Sequence, residues 1–158
     1  MKAVVAGVKV VLQDPFSSLS YLPWNLIETR ACGAKVFDVE KLRSLTNYKY
    51  MDEDHPVVKR FWKAFESFNE TEKAQYLKFV WGRTRLPIDT SNLEYNHEIE
   101  LMDNLDPKGF PQSHTCFFRL DIPDYKTDEI CRQRLLQAAQ LCGGIDNDHE
   151  VMGSDDED

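Results

Sequence analysis

"FPQSHTCFFRLDIPDY", Phe110 to Tyr125, is the stretch in which a helical chain turns into sheet. It begins as a loop containing Pro111, Ser113 and His114. It continues as "TCFFRLDIP", whose aromatic and aliphatic content reads as a strand stopped by Pro123. Cys116 stands at the loop-to-strand junction, and three fates are open to it: a small buried hydrophobe, a metal ligand or a nucleophile. Phe117 and Leu120 are expected in the core, and Pro123 and Tyr125 are expected to end the strand and anchor the helix after it.

Just upstream, Glu98 to Asp103 alternates in the manner of a half-buried strand. Ile99 and Leu101 face one way, Glu98 and Glu100 the other. The strongest signals before that are helical. Val57, Val58, Phe61, Trp62, Phe65 and Phe68 recur at three and four residues between His55 and Phe68, with Pro56 in the first turn and Asp54 or His55 as cap. Asn69 then opens a second helix with Glu72 three residues on, a capping box, and Gly82 closes it. The apolar set of that helix is Ala74, Tyr76, Leu77, Phe79 and Val80, and the two helices form an αα-hairpin.

Shorter helices are expected at "WNLIETRAC", ended by Gly33, and at "DVEKLRSL", capped by Asp38 with Val39, Leu42 and Leu45 on one side. Residues 12–23 read as a connector. "MKAVVAGVKVVL" reads as a strand or strand-like edge; it is too short for a membrane span and shows no small-residue cleavage site. Downstream, Thr127 caps a last helix with Cys131, Leu135, Ala138 and Cys142 on one stripe, ended by Gly143 and Gly144. The acidic tail after it is expected not to pack. Helices first, then a few strands, then a closing helix define a small α+β domain.

The totals agree with one folded domain: 158 residues, 42% hydrophobic, with nine Phe, six Tyr and three Trp. Twenty-seven acidic against 19 basic residues, net −8, argue against a nucleic-acid partner, whose phosphates reward clustered Lys and Arg. Nothing suggests a membrane partner either. The four cysteines and four histidines show no C-x-x-C pair and no common zinc spacing, so no metal or other cofactor is expected. Reduced thiols point to a cytoplasmic or nuclear setting. Cys32, Cys131 and Cys142 read as packing residues.

Local physics favours a buried thiol for Cys116 as well. A cysteine peptidase would need a base, and His114 would lie on the same strand face about 7 Å away, too far for direct proton transfer. His97 would have to approach from elsewhere.

Larger blocks of sequence shift that balance. "FPQSHTCFFRLDIPDY" closely resembles the catalytic-cysteine segment of the HECT ubiquitin ligases: Leu-Pro, a small pair, His-Thr-Cys-Phe, then a Leu-rich strand ending in Pro-x-Tyr. "VKRFWKAFESFNETEKAQYLKFVWGRTRLP" resembles the family's Phe-Trp helix, second helix and Gly-x-x-Arg-x-Pro turn, in the same order and separation. The resemblance implies a catalytic C-terminal lobe at residues 34–145. It also implies the end of the preceding lobe, with a connector, at 1–33, and an acidic disordered tail at 146–158. Val4 to Leu12 do not resemble the family strongly and are expected to be foreign to it.

By this resemblance Cys116 accepts ubiquitin from a conjugating enzyme as a thioester and passes it to a substrate lysine, with His114, Thr115 and Asp121 supporting. His114 is expected to shape the loop or hydrogen-bond near the thioester rather than to serve as an obligatory base. The carboxylate that assists lysine attack would be Asp121 or one from the acidic tail. The implied partners are ubiquitin, the conjugating enzyme and a protein substrate. Most of the lobe that docks the conjugating enzyme has no room before Gly33, so a non-catalytic ubiquitin-binding or dominant-negative module stays open. Phe118 stands where many members have Asn, as in the giant ligases bearing RCC1-like repeats, which "FVWGRTRLP" and "IDND" also resemble. Many members carry a Phe near the C-terminus that helps position the donor; this sequence reads "GSDDED" there.

Overall fold

Residues 2–11 and 21–144 are described by the computed structural model. In chain order they form α1 (Lys2–Val11), α2 (Trp24–Cys32), α3 (Val39–Ser44), β1 (Thr46–Lys49), α4 (Pro56–Glu66) and α5 (Glu70–Trp81). There follow β2 (His97–Leu101), β3 (Gln112–His114), a 3₁₀ turn (Thr115–Phe117), β4 (Arg119–Ile122) and α6 (Asp128–Gly144). The fold class is α+β, as expected.

Local chemistry explains the helix ends. His55 caps α4, its Nδ1 accepting from the Val57 N–H at 3.3 Å, while Asp54 pairs instead with Lys59 at 2.9 Å. Asn69 and Glu72 form the full capping box of α5: the Asn69 side chain accepts from the Glu72 N–H at 2.9 Å, and Glu72 accepts from the Asn69 N–H at 2.8 Å. Gly82 leaves α5 in the left-handed region at φ 74°. Asp38 caps α3 by accepting from the Lys41 N–H. The Ile130 N–H donates to Thr127 at the start of α6, where Asp128 and Glu129 sit favourably against the helix dipole.

The N-terminal run overturns its expectation. Lys2–Val11 is a helix, not a strand. Valine disfavours helix by only some tenths of a kcal/mol per residue, and Val4, Val8 and Val11 recur at helical rather than alternating spacing. Residues 12–20, the tail from 146 and the Cys142 side chain lie outside the described residues; α6 itself runs through Gly143 and Gly144.

The sheet has the order β1-β2-β4-β3, with β1, β2 and β4 parallel and β3 antiparallel to β4. α4 and α5 lie in the crossover between β1 and β2, and α6 packs on both of those helices. Phe61, Phe65, Tyr76, Leu77, Ile99, Leu120, Ile122 and Leu135 are fully buried between them. Burial of each such side chain contributes about 1.5–3 kcal/mol. Aromatic pairs such as Phe65–Tyr76, with centroids 4.9 Å apart at 68°, add about 0.5–1.5 kcal/mol each. Tyr125, also fully buried, donates its hydroxyl to Gly109 O at 2.9 Å and accepts from Arg60 through its carbonyl, which anchors the entry to α6.

β1 was not foreseen. "TNYK" has no strong alternation, and its strand character exists only through pairing with β2, Thr46 opposite His97 and Lys49 opposite Glu100.

Gly33 joins α2 to the "GRTRLP" turn. Its φ is 93°, and an added Cβ would stand 2.3 Å from the Leu86 carbonyl oxygen, while the Ala34 N–H donates to that same oxygen at 3.0 Å. Glu28 of α2 reinforces the junction through Arg85 at 3.1 Å. Gly33→Ala is expected to lower unfolding free energy by about 1–3 kcal/mol, because both the φ and the backbone contact must change. Urea unfolding of the two proteins side by side measures it, and equal midpoints would refute the close approach.

Candidate functional site

The strand expected to begin at Thr115 is interrupted. Thr115–Phe117 form a 3₁₀ turn, Phe118 is left-handed at φ 51°, ψ 44°, and only Arg119–Ile122 are strand. With His114 opposite Arg119 in the β3–β4 ladder, residues 115–118 are the loop of a tight β-hairpin. Cys116 therefore sits on a hairpin tip, exposed.

Phe118 makes that tip rigid. A phenylalanine in the left-handed region carries a backbone penalty of roughly 1–2 kcal/mol. Its ring offsets this by being fully buried and stacked on Trp81 at 4.3 Å and 9°, with the Arg83 guanidinium 4.5 Å over the Trp81 ring and His97 4.9 Å from Phe118. Phe117 reverses its expectation. It points outward, 55% exposed, edge-to-face with Tyr95 at 5.6 Å, because the turn between it and Phe118 sends only one of the two rings inward.

One wall of a cleft of about 410 Å³ is formed by Cys116, with Trp81, Arg83, Asp89, Leu93 and Tyr95 among the residues lining the rest.

Beneath the tip runs a row of charges on one face of the sheet. Register aligns Lys49, Glu100 and Asp121 across β1, β2 and β4. Glu100 Oε2 accepts from Lys49 at 3.0 Å and pairs with Arg119 at 3.1 Å. Asp121 Oδ2 accepts from His114 Nε2 at 2.8 Å, and Oδ1 lies 3.0 Å from Arg119 Nε without the alignment of a hydrogen bond. Glu100 was expected on an open face but is buried, as is Asp121; their charges are tolerated there because each faces a cation.

Of the four residues singled out from sequence, the fold brings His114 and Asp121 into contact beside Cys116. Thr115 is exposed on the turn, and its side chain makes no hydrogen bond among the described residues. His97 is removed from any catalytic part. It is fully buried, with Nδ1 2.8 Å from Thr46 Oγ1 and Nε2 2.9 Å from the Tyr76 hydroxyl.

Sequence reading missed the hairpin itself. "TCFF" contains none of the Gly, Asn, Asp or Pro residues that announce a turn, so the pairing of His114 with Asp121 seven residues on had no local signal.

The other cysteines divide. Cys131 is buried, and desolvation pushes its thiol up to about 12. Cys32 is exposed rather than packed, because it ends α2 on the outer side of the Gly33 junction. Iodoacetamide at neutral pH is expected to label Cys116 and Cys32 in the native protein and Cys131 only after unfolding, as read by peptide mass mapping. Rapid native labelling of Cys131 would contradict the packing of α6. Among the described residues no group of three His, Cys, Asp or Glu could hold a metal ion, and no helix is long and apolar enough to cross a membrane.

The fold is an α+β domain that presents an exposed thiol on a hairpin beside a histidine–carboxylate pair. The chain belongs to the HECT-domain (ubiquitin-transferase) family, which it matches over residues 1–148. That match begins at the first residue, so Val4 to Leu12 fall within it rather than being foreign. Similar proteins include the E3 ubiquitin-protein ligase HERC2 of Mus musculus, 35% identical over 149 residues, and that of Homo sapiens, 34% identical, each over 92% of this chain. A probable E3 ubiquitin-protein ligase hulA of Aspergillus flavus is 30% identical over 68% of the chain. The chain spans 3% of the length of the HERC2 proteins and 14% of the fungal one.

Proposed function

We propose that this chain is the thioester-forming part of a ubiquitin-protein transferase. Cys116 attacks the thioester of a charged conjugating enzyme, holds ubiquitin as its own thioester, and yields it to a substrate lysine as an isopeptide. Dividing the transfer in two is covalent catalysis. Exchange of one thioester for another conserves bond type, so the first step needs an accessible, well-placed thiol more than a full triad. The observation that carries the reading is the exposure of Cys116 on a hairpin whose next-but-one residue is locked into the core. Residues 34–145 are assigned as the catalytic lobe and 1–33 as the end of the lobe before it.

The test incubates the chain with charged conjugating enzyme and, separately, with ubiquitin activated as a small-molecule C-terminal thioester. A thiol-reducible adduct on Cys116 with both donors supports a transferase that also receives the conjugating enzyme. An adduct with the small donor alone supports the chemistry and places enzyme docking elsewhere. No adduct with either, together with noncovalent ubiquitin binding that survives Cys116→Ala, would replace this reading with a binding module.

A further inference from the structure

We propose that His114 is the base that takes the proton from the attacking lysine, with Asp121 orienting its ring; this rests on Cys116 carrying the ubiquitin thioester. A free lysine has a pKa near 10.4 and arrives protonated, so the second transfer needs a proton acceptor that the first does not. Asp121 is the nearest carboxylate in sequence, but the fold withdraws it from the substrate. Its side chain is 6% exposed, one oxygen accepts from His114 and the other faces Arg119. Any proton leaving the amine toward Asp121 meets the imidazole first.

The tautomer is set by the partners. A carboxylate only accepts, so His114 Nε2 carries the proton of that 2.8 Å bond and Nδ1 is left with a lone pair. Among the described residues Nδ1 has no hydrogen-bond partner, and the side chain is 37% exposed. His114 is also the residue from which the 3₁₀ turn departs, two positions before Cys116, so ring and thioester share one turn. When Nδ1 takes a proton, the imidazolium forms an ion pair with Asp121. The charges behind it, Lys49, Glu100 and Arg119, already stand as alternating partners and need no rearrangement.

The step balances without a further reactant. His114 Nδ1 takes one proton from the lysine ammonium and hands it to water, and the freed Nζ lone pair attacks the carbonyl carbon of the ubiquitin C-terminal glycine. The C–S bond to Cys116 then breaks while the new C–N bond remains, and the second proton lost by the nitrogen passes to the departing thiolate.

The experiment loads wild-type and His114→Gln chains with small-molecule-activated ubiquitin, then follows discharge to free lysine and to hydroxylamine, an amine already uncharged at neutral pH. Glutamine can keep the donor to Asp121 but has no basic nitrogen. Lysine discharge is expected to slow about 100-fold, hydroxylamine discharge by less than about threefold. The lysine deficit should narrow as pH rises toward the amine's own pKa. Asp121→Asn, which can donate to Nε2 and so place the proton on Nδ1, should reproduce the lysine defect. Equal slowing of both amines, or slowing of neither, overturns the proposal while leaving the Cys116 thioester standing. Failure of the wild type to load at all removes the thioester reading and this one with it.

Discussion

Cys116→Ala should lose the reducible ubiquitin adduct entirely, with transfer to lysine falling to background, on the order of 10³-fold or more. The thiol lies exposed on the hairpin tip and contributes nothing to the core. Phe118, Leu120 and the His114–Asp121 bond hold the loop and are untouched by the substitution. Unfolding free energy should therefore stay within about 0.5 kcal/mol of wild type, as for surface changes away from special features. Cys116→Ser sharpens the result, since a hydroxyl at that position would give at most an oxygen ester, resistant to thiol reductants and cleaved by hydroxide. Cys32→Ser is the control, because Cys32 is also exposed. An undiminished adduct on Cys116→Ala would transfer the nucleophile's role to another residue.

The largest expected effect on stability comes from His97. Every polar atom of its network has one assignable role. Thr46 donates its only hydroxyl proton to Leu42 O at 2.7 Å, so Thr46 Oγ1 must accept from His97 Nδ1–H, and Nε2 must accept from the Tyr76 O–H. The ring is thus held neutral, and complete burial lowers its pKa to about 3. An unfolded histidine titrates near 6.5. Between these values the unfolded chain binds a proton that the folded chain refuses. The stability is fully present above about pH 6.5 and is lost as pH falls toward about 3, at about 1.4 kcal/mol per pH unit.

Urea unfolding between about pH 7 and 5, above the carboxylate range, should show this slope in the wild type. His97→Gln should be less stable at neutral pH but flatter by close to one proton through the same interval. Parallel slopes for the two proteins would show that His97 is not buried as a neutral ring. Because the Phe118 ring lies 4.9 Å from His97, acid unfolding should also release the Cys116 hairpin, visible as loss of the Trp81–Phe118 ring stack in tryptophan fluorescence together with the appearance of labelling at the buried Cys131.

Sequence alone was sufficient for whatever is decided within about one turn of chain. The Asn69–Glu72 box, the Pro56 start, the Gly33 and Gly82 stops and the aromatic face of α4 are set by hydrogen bonds and periodicities spanning three or four residues. Cys116 was also found there, but by its resemblance to a known segment; on local chemistry it looked like a buried thiol. Tertiary structure decided everything that depends on distant partners. β1 is a strand because Thr46 meets His97, 51 residues away, and Glu100 is buried because Lys49 and Arg119 flank it. "TCFF" is a turn because Phe118 finds Trp81, and only then do His114 and Asp121 touch and Phe117 face outward. The physical reason is common to all of them: burial and pairing energies belong to contacts across the fold, and they outweigh the few tenths of a kcal/mol by which local propensities differ.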